Sequence, residues 1–231
     1  GAKILFFQES NYPQRLSRTA DCPAVLYTHG EINFNKHKML AVVGTRKSTN
    51  YGRSCVESIL AELAVAKPVI VSGLAYGIDI IAHRTALELG LPTIAVLGSG
   101  LDCIYPVSHG GVAKEIIETG ALVTEQPFGK QPEAHFFPAR NRIIAGLSDA
   151  VLVVEASEKG GALITADIAE SYDREVFAIP GDIKSTSSLG CHRLIKEHKA
   201  QLVTSGNDIL EEMAWFAAAN GKNVDLERPE I

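Results

Sequence analysis

One short stretch combines a glycine, hydroxyls and cations in an order that favours phosphate binding. An apolar run ends at Gly44 and is followed by Thr45, Arg46 and Lys47. A glycine lets a ligand approach the backbone, and a strand–turn–helix connection directs backbone N–H groups at an anion. The alternative is a tight connection between strand and helix. Because arginine and hydroxyl groups would meet a phosphate here, the binding interpretation is favoured.

A second glycine-bearing loop follows the next apolar run. Ser72 and Gly73 end that run, and Gly77 precedes a helix whose first N–H groups should be exposed. Asp79 and His83 are one helical turn apart and share a face. They could be two ligands of a metal, but no third ligand has the spacing to join them. A structural hydrogen bond between them is the preferred interpretation, and no metal or cofactor is expected.

A third site of the same kind lies later in the chain. Lys159 precedes the pair Gly160 and Gly161, which opens a helix and predicts another anion site at a helix terminus. The segment Gly98–Asp102 is also glycine-rich, although a plain loop explains it equally well. The sequence therefore predicts several glycine loops at one edge of a sheet.

An aromatic pair stands beside two arginines. Phe136 and Phe137 are followed by Arg140, Asn141 and Arg142. A flat ring for a base and donors for the backbone are what single-stranded nucleic acid requires. The alternative is two core phenylalanines and two surface arginines at a helix end. Because the glycine-bearing loops described above predict phosphate sites, nucleic-acid binding is the preferred interpretation. Phe137 is then the ring expected to stack on a base.

Catalytic patterns are weak in this chain. No nucleophile elbow stands out and no Walker lysine follows a glycine loop, which argues against ATP hydrolysis. Glu125 and Glu155 end apolar runs and could act as general bases. The preferred interpretation makes them partners of Arg140 and Arg142.

Composition sets limits on the partner. The 231 residues include 27 acidic and 22 basic side chains, for a net charge of −5. Binding of a polyanion must then depend on a local basic patch. The four cysteines are far apart, which is typical of reduced thiols in the cytosol. No apolar run approaches bilayer length and no signal peptide is recognisable, so a cytoplasmic protein without a membrane partner is expected.

The elements that must position these residues alternate between strands and helices. Continuous apolar runs predict strands at Leu40–Val43, Val69–Val71, Thr93–Leu97, Leu122–Glu125, Ala150–Val154, Glu175–Ile179 and Gln201–Thr204. Helices are predicted at Tyr51–Ala66, Ile78–Leu89, Val112–Glu118, Arg140–Leu147, Ala162–Tyr172, Leu189–His198 and Asp208–Ala219.

This alternation predicts an α/β fold with a doubly wound, mostly parallel sheet and helices on both faces. Ligands of such folds bind at the carboxyl ends of the strands. We expect residues 1–36 to be an arm of turns packed on the main domain, 37–220 to be a Rossmann-like DNA-binding domain, and 221–231 to be a frayed tail.

Several motifs, taken in order, resemble the DNA-processing protein A family, also called DprA or Smf. They are Val43-Gly44-Thr45-Arg46, Ser72-Gly73-Leu74-Ala75-Tyr76-Gly77-Ile78-Asp79, Tyr105-Pro106, Phe137-Pro138-Ala139-Arg140-Asn141-Arg142, Phe177-Ala178-Ile179-Pro180-Gly181 and Gly190-Cys191-His192-Arg193-Leu194-Ile195. The resemblance implies an extended Rossmann-like domain and a DNA-binding accessory protein, not an enzyme. It also implies a homodimer that binds and protects incoming single-stranded DNA and loads the RecA recombinase onto it during natural transformation.

By the same resemblance, the Gly-Thr-Arg turn and the Arg-Asn-Arg segment line the DNA groove. The expected nucleic-acid contacts are Gly44, Thr45, Arg46, Lys47, Ser72, Gly73, Gly77, Phe137, Arg140, Asn141, Arg142, Lys159, Gly160 and Gly161. The family dimerises through the C-terminal part of this domain. The apolar patch expected there consists of Leu194, Ile195, Leu202 and Val203.

Two other functions remain open at this stage. The run Gly160–Thr165, with Glu170 on the following helix, loosely resembles the phosphate motif of Rossmann-like nucleotide phosphoribohydrolases. Glu170 or Glu125 would then serve glycosidic cleavage, although the proline and third glycine of that motif are missing. The second alternative is a sensor of signalling nucleotides on the same fold.

Overall fold

The fold is seen in a computed structural model that describes residues 1–216. Its strands are β1 (Ala2–Phe6), β2 (Val25–Gly30), β3 (Met39–Val43), β4 (Val69–Ser72), β5 (Thr93–Val96), β6 (Ala121–Thr124), β7 (Ala150–Val153), β8 (Glu175–Ala178) and β9 (Gln201–Leu202). The predicted tail 221–231 and the end of the predicted helix Asp208–Ala219 lie outside the described residues.

The strands form one sheet of nine, in the order β1-β2-β6-β5-β4-β3-β7-β8-β9. All neighbours from β6 to β9 pair in parallel, whereas the β1–β2 and β2–β6 pairs are antiparallel. Every residue of β3 is buried, as expected of a central strand covered on both faces. The prediction of a doubly wound, mostly parallel sheet is confirmed.

Eight helices accompany the strands in the described part of the chain: α1 (Gln14–Ser17), α2 (Asn50–Leu63), α3 (Ile78–Glu88), α4 (Gly110–Thr119), α5 (Phe136–Leu147), α6 (Gly161–Ser171), α7 (Leu189–Lys196) and α8 (Gly206–Glu212). Side chains of α1, α5, α6 and α7 share one apolar cluster with Met39, Ala41 and Val43 of β3. Side chains of α2, α3 and α8 share another with Leu40 and Val42. Alternation along β3 thus serves a core on each side of the sheet.

The position of β3 creates the binding edge. The chain runs outward from β3 through β4, β5 and β6, then returns to place β7, β8 and β9 on the other side. The crevice between β3 and β7 is therefore the switch point, where doubly wound folds bind ligands beyond the carboxyl strand ends.

The first 36 residues differ from the expected arm of turns. They contain β1, α1 and β2, and β2 pairs with β6 through Tyr27–Thr124 and its neighbours. The strand partner comes more than 90 residues later, and local sequence carries no signal for such a pairing. The Arg15 guanidinium also lies 2.5 Å from the Asp149 carboxylate, which joins the segment to the start of β7. The predicted boundary between an N-terminal segment, residues 1–36, and the main domain, from residue 37, remains a prediction.

Helix α5 begins four residues before the predicted start at Arg140. Pro138 stands in its first turn, where a missing backbone N–H costs no intrahelical hydrogen bond. The longer helix carries Phe136 and Phe137 as well as the arginines, so one rigid element positions the whole aromatic and basic motif.

Candidate nucleic-acid interface

A groove with a volume of about 300 Å³ lies at the carboxyl ends of β3 and β7. Its walls come from the turn after β3, the first turns of α5 and the start of α6. The predicted contacts that line it are Gly44, Thr45, Arg46, Phe137, Arg140, Asn141, Gly160 and Gly161. Residues distant in sequence are thus brought together, and the exposed Lys47 and Lys159 are chain neighbours of its lining.

The turn after β3 is fixed by contacts on two sides. A Cβ atom on Gly44 would lie 2.4 Å from Ile78 Cγ1 and 3.0 Å from the Glu155 carbonyl oxygen, so only glycine fits without displacement. The Thr45 N–H donates to that Glu155 carbonyl at 2.7 Å, and the Ile78 N–H donates to the Thr45 carbonyl at 3.1 Å. The turn therefore presents its side chains, above all the exposed Arg46, from a rigid backbone.

The helix termini predicted to hold phosphate after Gly44 and Gly73 do not do so in the expected way. At α2, which begins at Asn50, the Thr49 hydroxyl caps the helix and accepts from the Gly52 N–H at 3.2 Å. At α3 the protein supplies its own anion, because the Asp79 carboxylate accepts from the N–H groups of Gly73 at 3.2 Å and Ala75 at 3.4 Å. Both termini are thus engaged inside the fold.

Two further predicted contacts of this loop are structural. The buried Ser72 hydroxyl donates to the Val42 carbonyl at 2.7 Å and does not face the groove. Gly77 has a φ of +79°, and a Cβ atom there would lie 2.1 Å from the Thr45 carbonyl oxygen. The left-handed backbone and the close contact both require glycine, and they hold the two loops against each other.

Arg140 lies beneath the groove. It is 4% exposed, and its Nη1 donates to the carbonyls of Gly73 at 2.6 Å and Val96 at 2.5 Å. A Cβ atom on Gly73 would lie 2.0 Å from the same nitrogen. Burial lowers the pKa of Arg140 to about 10, with Asp79 acting in the opposite direction, so the guanidinium is protonated at neutral pH. The expected role in neutralising phosphate is corrected: Arg140 ties the ends of β4 and β5 together.

Arg142 lies on another side of α5 because two residues advance a helix by about 200°. It does not line the groove. Its Nη2 donates to Glu125 at 2.6 Å, and its Nε lies 3.7 Å from the Asp21 carboxylate. The predicted pairing of Glu125 with an arginine is confirmed, whereas the expected position of Arg142 beside Arg46 is wrong.

Glu155 has other partners than the predicted arginines. It is 1% exposed, and it accepts from the Thr49 N–H at 2.9 Å, the Thr49 hydroxyl at 2.7 Å and the Ser187 hydroxyl at 3.0 Å. These bonds fix the cap of α2 and the loop before α7. Neither this carboxylate nor that of Glu125 lines the groove.

The predicted bond between Asp79 and His83 is also absent from the described contacts. His83 Nδ1 lies 2.7 Å from the Thr93 hydroxyl instead. Burial, with the charge of Arg140, lowers the pKa of His83 to about 3, so the ring is neutral. Among residues 1–216, no group of three metal-binding side chains comes together.

Phe137 lines the groove, and a second aromatic ring lies next to it. The Arg46 guanidinium carbon lies 5.6 Å from the centre of the half-buried Phe137 ring, within range of a cation–π contact. The Tyr105 ring centre lies 5.6 Å from the same phenylalanine. In the sequence, Tyr105 was identified only through the Tyr105-Pro106 motif, because its exposure and its contact with Phe137 depend on the fold.

Helix α6 offers the groove a polar terminus. Its cap is Gly160, and no side chain within the described residues caps it. Its first turn contains no acidic residue. The Asn141 side-chain amide approaches the Gly161 carbonyl at 3.4 Å, which places α5 beside this terminus. The positive end of the α6 dipole and its first N–H donors therefore lie at the same groove as Arg46.

Comparison with known proteins gives the family. The sequence of residues 3–214 matches the protein-family model of DNA recombination-mediator protein A. The chain belongs to this family. Protein Smf of Escherichia coli is 46% identical over 233 residues, covering 95% of this chain and 62% of that relative. The chain thus spans less than two thirds of the length of this relative.

Solved structures of DNA processing protein A agree with the fold. The protein from Streptococcus pneumoniae has a TM-score of 0.87 at 43% identity, over 91% of this chain and 74% of that one. The protein from Helicobacter pylori, whose structure describes its single-stranded DNA binding mode, has a TM-score of 0.82 at 30% identity, over 92% and 95%. The extended Rossmann-like fold expected from the resemblance is confirmed.

The dimer contacts expected for this recombination-mediator domain divide into two groups. Leu194 and Val203 are fully buried in the two cores, so they are corrected to core residues. Ile195 is half-buried and Leu202 is 46% exposed. Leu202 ends β9, at the edge of the sheet opposite β1. No helix in residues 1–216 is both long and apolar enough to cross a bilayer.

Proposed function

We propose that this protein binds single-stranded DNA in the groove between the β3 turn, α5 and α6. The observation that carries the proposal is the convergence of Arg46, Phe137 and the α6 terminus in an otherwise acidic chain. These groups offer a cation, a ring and N–H donors within one groove, which together fit a phosphate and its attached base.

In the proposed complex, Arg46 and Lys47 neutralise one part of the backbone, and Lys159 with the N–H groups after Gly160 holds another. Phe137 stacks a base, while Asn141 lies between the two regions. Gly44, Thr45 and Gly161 line the path and let the strand approach the backbone closely. Ser72, Gly73, Gly77, Arg140 and Arg142 are left out of the contact set because their groups are engaged in the fold.

The wider role follows from the family and is also a proposal. The protein would protect incoming single-stranded DNA in the cytoplasm and load RecA onto it during natural transformation and homologous recombination, without catalysing a reaction itself. A homodimer would form through apolar residues next to β9, which are the exposed Ile183, Leu189 and Leu202 and the half-buried Ile195. A contiguous exposed apolar patch of this kind is typical of an interaction surface.

The phosphoribohydrolase alternative is less well supported by the geometry. Glu170 stands nine residues after Gly161 on α6, or about 13 Å along the helix axis, so it lies far from the groove. Its carboxylate lies 3.6 Å from Lys199 Nζ. Incubation with nucleoside monophosphates should release no free base, and release of base would support the enzyme instead.

The direct test compares a labelled single-stranded oligo-dT with a duplex of equal length in fluorescence anisotropy. We expect tighter binding of the single strand and competition by unlabelled oligonucleotides, but not by mononucleotides at the same nucleotide concentration. Equal affinity for duplex and single strand would contradict the proposal. Competition by a mononucleotide alone would favour the sensor of signalling nucleotides.

A further inference from the structure

Two exposed aromatic side chains near the Arg46 turn have no part in the DNA contacts proposed so far. Tyr76 is 50% exposed and Tyr105 is 45% exposed. Both belong to loops at the carboxyl ends of strands, Tyr76 after β4 and Tyr105 after β5. Large rings left in water at a ligand-binding edge are typical of a binding surface.

Tyr105 continues the ring surface that starts at Phe137. Their ring centres are 5.6 Å apart with an angle of 48° between the planes. The Arg46 guanidinium contacts the other ring of the pair, with its carbon 5.6 Å from the Phe137 ring centre. Val107, two residues further on, is 85% exposed and adds apolar surface next to Tyr105. The two rings therefore extend the groove beyond its cationic part.

Tyr76 reaches the turn from another loop. The neighbouring Gly77 packs so closely that a Cβ atom on it would lie 2.7 Å from the Arg46 Cα. The Tyr76 ring meets His109 edge to face at 4.9 Å, and its hydroxyl lies 3.3 Å from the Ser108 hydroxyl. His109 is itself fixed, since its Nδ1 lies 2.7 Å from the Leu74 carbonyl. The ring of Tyr76 is thus held in place before any ligand arrives.

We propose that Tyr76 and Tyr105 are stacking sites for unpaired bases on either side of the Arg46 turn, together with Phe137. This inference rests on the proposed function and names the part of the ligand that these residues recognise. Bases in a duplex already stack on their neighbours and pair across the helix, so their faces are not accessible to these rings. The rings therefore select single strands, while Arg46 and the α6 terminus bind the backbone of any strand.

The test separates base contacts from backbone contacts. Tyr105→Leu and Tyr76→Leu remove one ring each, Tyr105→Phe keeps the ring, and Phe6→Leu removes an equally exposed ring (49%) from β1 as the control. Each variant is titrated with oligo-dT and with an abasic deoxyribose-phosphate oligomer of the same length. Circular dichroism confirms that each variant is folded.

We expect each Tyr→Leu variant to weaken oligo-dT binding by about 5- to 140-fold, the range of one lost base stack, and to leave abasic binding unchanged. Tyr105→Phe and Phe6→Leu should match the parent. Equal losses for both ligands, or no loss for oligo-dT, would overturn the stacking role. If Arg46→Ala weakens both ligands while the tyrosine variants do not, the stacking inference fails and the groove assignment stands. If Arg46→Ala changes neither ligand, the groove assignment itself fails.

Discussion

Replacement of Arg140 tests whether this residue belongs to the fold or to the DNA contact. Arg140→Met keeps an unbranched side chain of similar length but removes the charge and both donors to the carbonyls of Gly73 and Val96. It also leaves Asp79, which is 7% exposed, without its cationic neighbour. Arg140 and Arg46 both line the groove, and the sequence motifs predicted both as DNA contacts. A measurement is therefore needed to tell their roles apart.

The expected cost follows from the buried carbonyls that lose their donor. An unsatisfied buried hydrogen-bonding group costs about 1–3 kcal/mol, and Arg140→Met leaves the carbonyls of Gly73 and Val96 without the guanidinium. Domains of this kind are stable by about 5–15 kcal/mol, so the variant should fold but unfold at a much lower denaturant concentration. Equilibrium urea denaturation, monitored by circular dichroism, measures the free energy of unfolding. The dependence of this free energy on urea concentration should be the same in the variant and the parent.

A second substitution identifies the cause. In Arg140→Met with Asp79→Asn, the orphaned charge is gone, so part of the lost stability should return and the two changes should not add. Arg46→Met serves as the matched control, because that side chain is exposed and its loss should change stability by less than about 0.5 kcal/mol. A denaturation midpoint for Arg140→Met equal to that of the parent would refute the structural role.

Three further predictions concern binding, pH and assembly. Arg46→Ala should weaken binding of all single-stranded sequences alike and lower the slope of log K against log salt by about 0.7, one backbone contact; Arg84→Ala, on the exposed side of α3, should change neither, and an unchanged slope for Arg46→Ala would contradict the assignment. His83 has a pKa of about 3 when folded and about 6.5 when unfolded, so the unfolded state binds more protons between these values. Stability should then fall by about 2 kcal/mol from pH 7 to 5 in thermal or urea unfolding, and His83→Gln should flatten this dependence; a parent-like slope in the variant would contradict it. Leu202→Glu should convert the proposed dimer to monomer in light scattering, whereas Ile4→Glu on the opposite sheet edge should not; equal masses for the parent and Leu202→Glu would exclude this interface.

Most of the framework was predictable because its signals are local. The apolar runs at Met39–Val43 and Ala150–Val153 are continuous, and helices separate them from the next strands. Parallel strands buried on both faces require such a pattern. The glycines of the strand-end loops were also visible, and their convergence on one edge follows from the parallel order. The first two strands were missed because β2 gains its stability from β6, far along the chain.

The individual roles within the groove were less predictable. Arg46, Arg140 and Arg142 look alike in sequence, yet one is exposed, one is bonded to carbonyls in the interior and one is paired with Glu125. The same holds for Leu194 and Leu202, of which the first is core and the second is edge surface. In each case the partner that decides the role belongs to a different element, so spacing within the motif contains no information about it.

The sequence by itself determined the fold class, the edge of the sheet at which the glycine-bearing loops meet, and the aromatic and cationic residues of that edge. These features depend on residue type and on periods of two and 3.6 residues, which are properties of neighbouring positions. Only the tertiary structure decided which arginine faces the groove, which helix terminus keeps its donors for a ligand, and which tyrosines join Phe137. Those outcomes depend on long-range packing and on competition for buried hydrogen-bond partners, because a carbonyl or carboxylate inside the fold takes up a donor that would otherwise meet DNA.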